Sequence, residues 1–509
     1  MKPVFDTDKR IRLGIWGLGR GATFIRSAAA LNIDVIAGCD LHPHMREEFR
    51  KNVPDAFITA DEDEFLAYDM DAVLIATYLP DHAKHAIKAL EAGKHVMCEV
   101  TSFLTLADGV RLVEAVEKSG KVYNLLENYP FTKENMYLRK LYQDGFFGEF
   151  QYGEFEYVHE CRGLTYAYNV GHGLPIEPGY TLHAWRSGLN YHLYNTHSLG
   201  PLMQITGLRP VSVTAPKNTV FLDGTFPAGR STSVAASLIT MSNGGTMRNL
   251  MGTTTNDYHR NCRFWGTRAG AENINGLKIR VGASGYGVMV DMKAEWPEFG
   301  ELADSMGHGG GDFWELYYFA REVLTGEPAP WNIYAAADVT AAGIQAARSM
   351  ANNAQLTEIP DFRKQEDRDR YRDDNWDPRN PDFDPMHIFP DGHDPAITGN
   401  FNSVMLKLFP LHRPEGLNLA AQVYDGMKIF DQIGNGDQRH IIVERGWKLV
   451  QWMPEIAEDC RAAKVIADAY PDSMPGKMIH KLLERGEVAW VLDTEKSIAE
   501  LKAWLRERW

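Results

Sequence analysis

Cysteine is scarce in this chain of 509 residues, and no two cysteines form a Cys-x-x-Cys pair. Disulfide-bonded domains and cysteine zinc sites need cysteines at characteristic close spacings, so neither is predicted, and a reducing compartment is expected. The five scattered cysteines are Cys39, Cys98, Cys161, Cys262 and Cys460.

Long apolar runs and an excess of basic residues are also missing. No stretch approaches the roughly 20 apolar residues that cross a bilayer, and residues 1–6 lack the apolar segment of a signal peptide. The 53 basic residues are outnumbered by 68 acidic ones, which gives a net charge of -15. We therefore expect a cytoplasmic protein with neither a nucleic acid nor a membrane as partner.

The composition is that of a globular protein, with 44% hydrophobic and 24% charged residues. A chain of 509 residues is too long for one hydrophobic core, so two or three domains are expected.

Residues 11–40 have the pattern of a strand, a glycine turn, a helix and a second strand. The apolar residues 13–16 suit a buried parallel strand, and Gly17-Leu18-Gly19-Arg20-Gly21-Ala22 follows at once. In such a turn Gly17 permits the tight bend, Gly19 lets the backbone approach a pyrophosphate, and Ala22 lets the helix pack closely. This stretch predicts a dinucleotide site.

An acidic residue follows at the distance that such a site requires. The apolar residues 35–39 end in Asp40, about 20 residues past the glycines. A carboxylate there can accept hydrogen bonds from ribose hydroxyls and would repel a 2′-phosphate, so NAD is expected rather than NADP. The alternative is an ordinary glycine-rich turn with a capping aspartate.

The strand and helix alternation continues beyond the first unit. The helix that opens at Pro80-Asp81-His82 ends at Gly93, where a left-handed residue is tolerated. Such alternation predicts a doubly wound parallel α/β sheet. The further strands are predicted at residues 72–77, 95–100 and 122–127, and the helices at residues 80–90 and 105–119.

Three motifs carry a resemblance to a known family. They are Gly17-x-Gly19-x-x-Ala22, Ala76-Thr77 with His82, and Ala92-Gly93-Lys94-His95-Val96-Met97-Cys98-Glu99. Residues 10–360 thereby resemble the Gfo/Idh/MocA oxidoreductases. The resemblance implies a Rossmann domain, an α+β domain whose open antiparallel sheet holds a sugar or polyol over the nicotinamide, and hydride transfer at a carbinol carbon. The NAD contacts expected on these grounds are Gly17, Gly19, Arg20, Ala22, Asp40, Thr77, His82, Glu99 and Asn128.

Two departures from the family pattern concern proton transfer. Most dehydrogenases of the family have Glu-Lys-Pro where this chain has Glu99-Val100-Thr101. The family's Asp-x-Gly-x-His corresponds to Leu193-Tyr194-Asn195-Thr196-His197, in which only the histidine remains. Valine and leucine cannot accept a proton, so any acid/base work must come from other groups.

Tyrosine and histidine side chains supply such groups. Residues 149–160 alternate like a sheet strand, which puts Tyr157 and His159 on one face. Tyr194 and His197 are three residues apart and would share a helix face. Taken singly, each could instead be a strand tyrosine with a solvated hydroxyl or a hydrogen-bonded core histidine.

The runs Tyr157-Val158-His159-Glu160, Tyr194-Asn195-Thr196-His197 and Tyr258-His259-Arg260 follow one another along the chain. With further runs in the same order, they resemble one branch of the superfamily, the NAD-dependent glycosidases typified by alpha-N-acetylgalactosaminidases, which also lack the lysine. The resemblance implies catalytic roles for Tyr157, His159, His197 and Tyr258, and substrate contacts at Arg186, Tyr194 and His308. The N-acetyl specificity is not carried over, because no single position demonstrates an acetamido pocket. The matching runs are Leu126-Glu127-Asn128, Phe146-Phe147-Gly148-Glu149, Tyr157-Val158-His159-Glu160, Trp185-Arg186, Tyr194-Asn195-Thr196-His197-Ser198-Leu199-Gly200-Pro201, Tyr258-His259-Arg260 and His308-Gly309-Gly310.

The resemblance implies a glycosidase that needs no pair of facing carboxylates. A hydride passes from C3 to NAD, the C3 ketone acidifies the C2 proton, the glycosidic oxygen leaves, water adds and the hydride returns. Two other functions stay open: a net NAD-dependent sugar or polyol dehydrogenase, and a non-catalytic sensor of NAD and sugar. No metal is expected.

The resemblance ends near residue 360. Residues 361–400 are dense in Asp, Arg and Pro and are expected to form an irregular connection or arm. Helical periodicity then predicts a C-terminal helical appendage, whose role could be to cap the site, extend an oligomer interface or bind a partner. The predicted domains are residues 1–130, 131–360 and 361–509, and we expect a homo-oligomer. The appendage helices are predicted at residues 417–433, 438–469 and 496–508.

Overall fold

The computed structural model of the chain describes most of its length. Within the described ranges, no helix is long and apolar enough to cross a membrane, and no three His, Cys, Asp or Glu side chains are grouped to hold a metal ion. The ranges are residues 4–160, 162–167, 181–183, 185–225, 232–252, 254–282, 285–379, 383–410 and 415–508.

The N-terminal part is built on a six-stranded sheet in which every neighbouring pair is parallel. Its strands are β1 (Ile11–Trp16), β2 (Ile33–Cys39), β3 (Phe57–Thr59), β4 (Ala72–Ile75), β5 (His95–Glu99) and β6 (Tyr123–Leu126). They lie in the order β3-β2-β1-β4-β5-β6. The predicted doubly wound parallel sheet is therefore confirmed.

Helices connect these strands and cover the sheet, so β4 is buried along its whole length. The longest of them begins where the Thr105 side chain accepts a hydrogen bond from the Asp108 N–H, and it ends at Gly120 with φ of +63°. The helices are α1 (Ile25–Ala29), α2 (Pro43–Asn52), α3 (Glu62–Ala67), α4 (His82–Glu91) and α5 (Leu106–Ser119).

A second sheet of ten strands follows. They are β7 (Phe150–His159), β8 (Pro210–Thr214), β9 (Val234–Met241), β10 (Thr246–Gly252), β11 (Tyr258–His259), β12 (Cys262–Gly266), β13 (Gly270–Glu272), β14 (Lys278–Val281), β15 (Val288–Asp291) and β16 (Thr357–Glu358). The order is β15-β14-β13-β12-β7-β10-β9-β8-β16, and β11 also pairs with β7.

This second sheet is mixed, whereas an antiparallel sheet was expected. Strands β7 and β10 run parallel, while the other described pairs are antiparallel. The parallel pair is possible because a long connection with helices separates the two strands along the chain.

Five helices belong to the same half of the molecule. The longest of them, α10 (Ile333–Ala351), follows the others along the chain and contacts α5, β6 and β8. The two sheets therefore share one continuous hydrophobic core. The helices are α6 (Lys133–Gln143), α7 (Thr196–Thr206), α8 (Gly300–Asp304), α9 (Gly311–Thr325) and α10 (Ile333–Ala351).

The charged connection is fastened to the Rossmann domain. It contains the short helix α11 (Gln365–Tyr371), from which Arg368 donates to Glu117 on α5 at 2.7 Å. Arg372 donates to Glu114 on the same helix at 2.7 Å. The acidic face of α5 thus orders a segment that was expected to be irregular.

The C-terminal region is helical, as predicted, and has its own hydrophobic core from Phe383 onward. The helix α15 contributes a buried row that includes Leu449, Met453 and Cys460, and the others surround it. The helices are α12 (Pro395–Thr398), α13 (Phe401–Leu408), α14 (Gly416–Ile429), α15 (Gly436–Ala469), α16 (Met474–Leu483), α17 (Gly486–Leu492) and α18 (Thr494–Arg506).

Candidate active site

The glycine turn lies at the point where the parallel sheet changes direction. Gly17 follows β1 with φ of +94°, and a Cβ there would stand 2.4 Å from the carbonyl oxygen of Ala76, which follows β4. Strands β2 and β3 extend to one side of this pair, and β5 and β6 to the other. Doubly wound sheets bind dinucleotides in the crevice at such a switch point.

The close packing that was expected at Ala22 occurs at Gly21 instead. A Cβ at Gly21 would lie 2.5 Å from the Ile15 side chain, whereas Ala22 is only half-buried. The difference arises because a 3-10 turn, Gly21–Phe24, precedes α1 and brings Gly21 against β1.

Asp40 is buried at the end of β2 and fixes the glycine turn. Its Oδ2 accepts a hydrogen bond from the Leu18 N–H at 2.7 Å, and its Oδ1 accepts one from the His42 N–H at 2.8 Å. Carboxylate oxygens can accept more than one hydrogen bond, so this role is compatible with the predicted ribose contact.

Asn128 gives a second test of whether a dinucleotide fits. It is 4% exposed, and its Oδ1 has no hydrogen-bond partner among the described residues. Buried amide oxygens are normally satisfied, so this atom is suited to accept a donor from a bound cofactor. With the cradle at Gly17 and the carboxylate of Asp40, the residues present fit NAD.

His82, another expected cofactor contact, lies between two backbone carbonyl groups. It is buried, with Nδ1 2.8 Å from the carbonyl oxygen of Thr101 and Nε2 3.1 Å from that of Thr77. Burial lowers the pKa of His82, although the two carbonyl groups oppose that shift. Only the ring nitrogen that carries the proton can donate to its carbonyl oxygen, and His82 packs between the loops that follow β4 and β5.

Arg20 and Glu99, also expected to contact NAD, form an ion-pair network with the second domain. Arg20 donates from Nε to Glu99 at 2.7 Å and through both terminal nitrogens to Asp312 at 2.9 and 3.0 Å. Burial opposes the charge of Arg20, yet the two carboxylates raise its pKa. The network joins the Rossmann domain to α9 beside the glycine turn.

The four residues predicted to be catalytic lie together. The Tyr157 hydroxyl is 3.1 Å from His159 Nδ1, and the rings of Tyr157 and His197 are 4.7 Å apart between centroids. Tyr258 on β11 pairs directly with His159 on β7, with 5.2 Å between their ring centroids. Two strands and the first turn of α7 thus converge on one cluster.

A buried carboxylate supports His197. Glu127, which follows β6, is fully buried, and its Oε1 lies 2.9 Å from His197 Nδ1. The same oxygen accepts a hydrogen bond from the Tyr129 N–H at 3.2 Å. A carboxylate at Nδ1 favours the tautomer in which Nε2 can accept a proton. No role was predicted for Glu127, which stands in the run Leu126-Glu127-Asn128. Its position directly after a parallel strand could have indicated a role in the site.

Tyr129 and Arg260 complete the cluster and were not predicted. The Tyr129 ring lies 4.9 Å from Tyr157 and 4.8 Å from His197, and the Arg260 guanidinium is 4.2 Å above it. Arg260 also donates to the Tyr258 hydroxyl at 2.5 Å. Burial raises the pKa of Tyr129 to about 12, against the effect of Arg260, so its hydroxyl stays protonated.

The predicted substrate contacts border this cluster. Arg186 donates to the Tyr194 hydroxyl at 3.1 Å, and the Tyr194 ring is 5.7 Å from that of His197. His308 Nδ1 lies 2.9 Å from Asp312 Oδ1. The centroids of the His308 and Tyr129 rings are 6.1 Å apart. Burial would raise the pKa of Asp312, but hydrogen bonds from His308 and from the Arg20 network hold it below its ordinary value.

Two regions of the chain match known families. Residues 11–126 match the Gfo/Idh/MocA oxidoreductase family, NAD-binding Rossmann fold, and residues 293–368 match the C-terminal domain of glycosyl hydrolase family 109. A glycosyl hydrolase family 109 protein from Saccharopolyspora erythraea is 28% identical over 405 residues, which cover 71% of this chain and 85% of that protein. An alpha-N-acetylgalactosaminidase from Shewanella oneidensis is 27% identical over 404 residues, with 69% and 85% covered.

Solved structures share the fold at low identity. An inositol dehydrogenase homologue from Azotobacter vinelandii, with NADH and myo-inositol, has a TM-score of 0.55 at 20% identity, over 69% of this chain and 98% of that one. UDP-N-acetylglucosamine 3-dehydrogenase from Acidithiobacillus ferrooxidans has a TM-score of 0.52 at 20% identity, over 68% and 99%.

Residues 11–126 thus match the NAD-binding Rossmann domain of the Gfo/Idh/MocA oxidoreductases, and the solved structures share the fold of the chain. The chain is also similar to glycosyl hydrolase family 109, the branch to which the sequence motifs pointed.

Proposed function

We propose that this enzyme hydrolyses a glycoside by oxidation at C3, elimination across C1 and C2, addition of water and reduction, with no net consumption of NAD. The observation that carries the proposal is the cluster of Tyr157, His159, His197 and Tyr258 near the Rossmann crevice. The relatives named as glycosyl hydrolase family 109 proteins support the same reaction class.

The positions that serve a dehydrogenase relay are apolar here. Val100 stands where the lysine is expected, and Leu193, where the aspartate is expected, is fully buried in the hydrophobic core. Neither can transfer a proton, whereas the tyrosine and histidine side chains can.

NAD, when bound at the glycine turn, supplies a reversible hydride acceptor. The side chains of the protein must then take the proton of the C3 hydroxyl, remove the acidified C2 proton and protonate the leaving oxygen. His197, supported by the buried Glu127, is suited to act as a base. Tyr157 with His159, and Tyr258 with Arg260, are suited to the remaining transfers.

A panel of nitrophenyl glycosides, incubated with the purified protein, tests the reaction class. We expect release of nitrophenol from at least one glycoside without continued addition of NAD, because the cofactor is regenerated in each turnover. NADH that accumulates with each glycoside oxidised, without release of nitrophenol, would indicate a net dehydrogenase. The absence of any turnover would indicate a sensor.

We also propose a homo-oligomer in a reducing, cytoplasmic setting. The outer face of the second sheet carries the partly exposed side chains of Leu238 and Trp265, and the described cysteines are buried free thiols. Light scattering on the purified protein tests the oligomeric state.

A further inference from the structure

We infer that the C-terminal helical region is a part of the substrate site, because it holds in place the two stretches of chain that border His159 and Arg186. We call these two stretches, residues 162–167 and 181–183, the anchor stretches. The inference rests on the proposed function, since it concerns the residues assigned to the sugar.

The first anchor stretch is built into the core of the helical region through Tyr166. This residue is 1% exposed, and its ring lies 5.9 Å from that of Phe401 on α13. Its hydroxyl donates to the carbonyl oxygen of Gly224 at 2.5 Å and lies 3.9 Å from the sulfur of Met478 on α16. A side chain from the sugar-binding half thus fills a site among the C-terminal helices.

The second anchor stretch is held through its backbone. The N–H groups of Thr181 and Leu182 both donate to the carbonyl oxygen of Pro385, at 3.0 and 3.1 Å. The Thr181 hydroxyl donates to the carbonyl oxygen of Met386 at 3.0 Å, and the Leu182 side chain is fully buried in the core of the helical region.

An ion-pair cluster joins the same elements. Arg162 is 4% exposed, lies with its guanidinium 4.4 Å above the Phe409 ring and donates to the carbonyl oxygen of Asp223. The carboxylate of Asp223 lies 3.1 Å from Lys481 and 3.6 Å from Arg485. Because Lys481 is largely exposed, these pairs contribute less than the buried contacts do.

The anchors end at the predicted site residues. Arg162 donates to Glu160 at 2.7 Å, and Glu160 directly follows His159. After the second anchor, the Trp185 indole lies 4.4 Å below the guanidinium of Arg186. A shift of the anchors would therefore displace both a catalytic and a substrate-binding side chain, and misplacement by about 1 Å can cost roughly 10²-fold in rate.

The fold neighbours support an added role for this region. An oxidoreductase from Agrobacterium radiobacter aligns over 99% of its own length but only 69% of this chain, with a TM-score of 0.55. The shared fold therefore accounts for 69% of this chain, and the remainder has no counterpart in that structure. The contacts above give the C-terminal addition a structural task beside the sugar.

The test combines Tyr166→Phe with Asp223→Asn, which removes the hydroxyl contact and the ion pairs but keeps the side-chain shapes. The control combines Tyr424→Phe with Asp468→Asn in the same helical region, where Asp468 pairs with the exposed Lys464. We expect faster amide hydrogen exchange in both anchor stretches of the test variant alone, with NAD affinity unchanged within about twofold.

For the test variant we expect kcat/KM for the best nitrophenyl glycoside to fall about 10- to 100-fold, mostly through KM, and the control to match the parent. Calorimetric binding of the same glycoside should weaken in parallel, which separates this inference from the turnover chemistry. Faster exchange with unchanged glycoside binding would overturn the inference, as would unchanged exchange in both anchors. If the parent oxidises the bound glycoside without hydrolysing it, the proposed function fails while the binding comparison still decides this inference. A parent that binds no glycoside would contradict both.

Discussion

The two sides of the candidate site handle charge in different ways. On the cofactor side, Arg20 is bound between Glu99 and Asp312 in a partly buried ion-pair network. On the sugar side, tyrosine and histidine side chains surround the guanidinium of Arg260 and the buried carboxylate of Glu127. The first arrangement fixes the domains, while the second supplies groups that can exchange protons. Substitutions on the two sides should therefore differ in kind.

The largest effect is expected on the sugar side. His197→Ala should lower kcat by roughly 10²- to 10⁴-fold, the usual contribution of a positioned acid/base group, while NAD affinity is largely kept. The measurement is steady-state turnover with a fluorescence titration of NAD. The exposed His440 on α15 offers a matched control, His440→Ala. Turnover within twofold of the parent would assign His197 a structural role.

The next effect concerns the support of that histidine. Glu127→Gln keeps the shape of the side chain but removes the charge that favours the productive tautomer, so kcat should fall about 10- to 10³-fold. The double variant with His197→Ala should be no slower than His197→Ala alone, because the two residues act as one unit. Additive losses in kcat would show that they act separately.

On the cofactor side, the expected loss is of stability. Asp312→Asn leaves Arg20 without one of its two carboxylates and should lower the free energy of unfolding by about 2 kcal/mol, the usual contribution of hydrogen bonds to a charged group. The pKa of Asp312 is lower in the folded than in the unfolded protein, so its stabilisation is present above about pH 4 and is lost as the pH falls further. Urea unfolding between pH 3 and pH 7 should give a shallower acid dependence for the variant. An identical pH dependence would contradict the role given to this network.

The smallest effect is expected at Asp40, the residue expected to contact the ribose of the cofactor. The unmodified protein should bind NAD more tightly than NADP, because Asp40 opposes a 2′-phosphate. Asp40→Ser should reduce the ratio of NAD affinity to NADP affinity. It should also weaken the binding of both cofactors, because Asp40 accepts the hydrogen bond from the Leu18 N–H in the glycine turn. If the parent binds NADP more tightly than NAD, the role given to Asp40 is wrong.

The cofactor half could be predicted because its signals are local. The apolar residues before Gly17, the cap at Thr105 and the glycine at position 120 each stand next to the element that they specify. The short strand β3, with three half-buried residues, gives no such signal and was not predicted. The close packing of Gly21 against Ile15 was not predicted, because the 3-10 turn that brings the two residues together has no distinct sequence pattern.

The sugar half was predictable only where a family motif named the residue. Tyr157 and His159 share a face because of the strand period, but the contact of Tyr157 with His197 depends on how α7 packs against β7. Arg260 over Tyr129, and Tyr166 among the C-terminal helices, are contacts between distant parts of the chain. No local pattern encodes them.

The most direct test of the proposed reaction follows two signals in one sample, a glycoside turned over in deuterated water. If Val100 and Leu193 leave no relay for net oxidation and the tyrosine and histidine cluster removes the C2 proton, deuterium should enter at C2 of the released sugar. NADH should then not accumulate beyond the enzyme concentration. Mass spectrometry of the sugar and the absorbance of NADH measure both signals. Stoichiometric NADH with no deuterium at C2 would contradict the redox-assisted glycosidase and establish a dehydrogenase in its place.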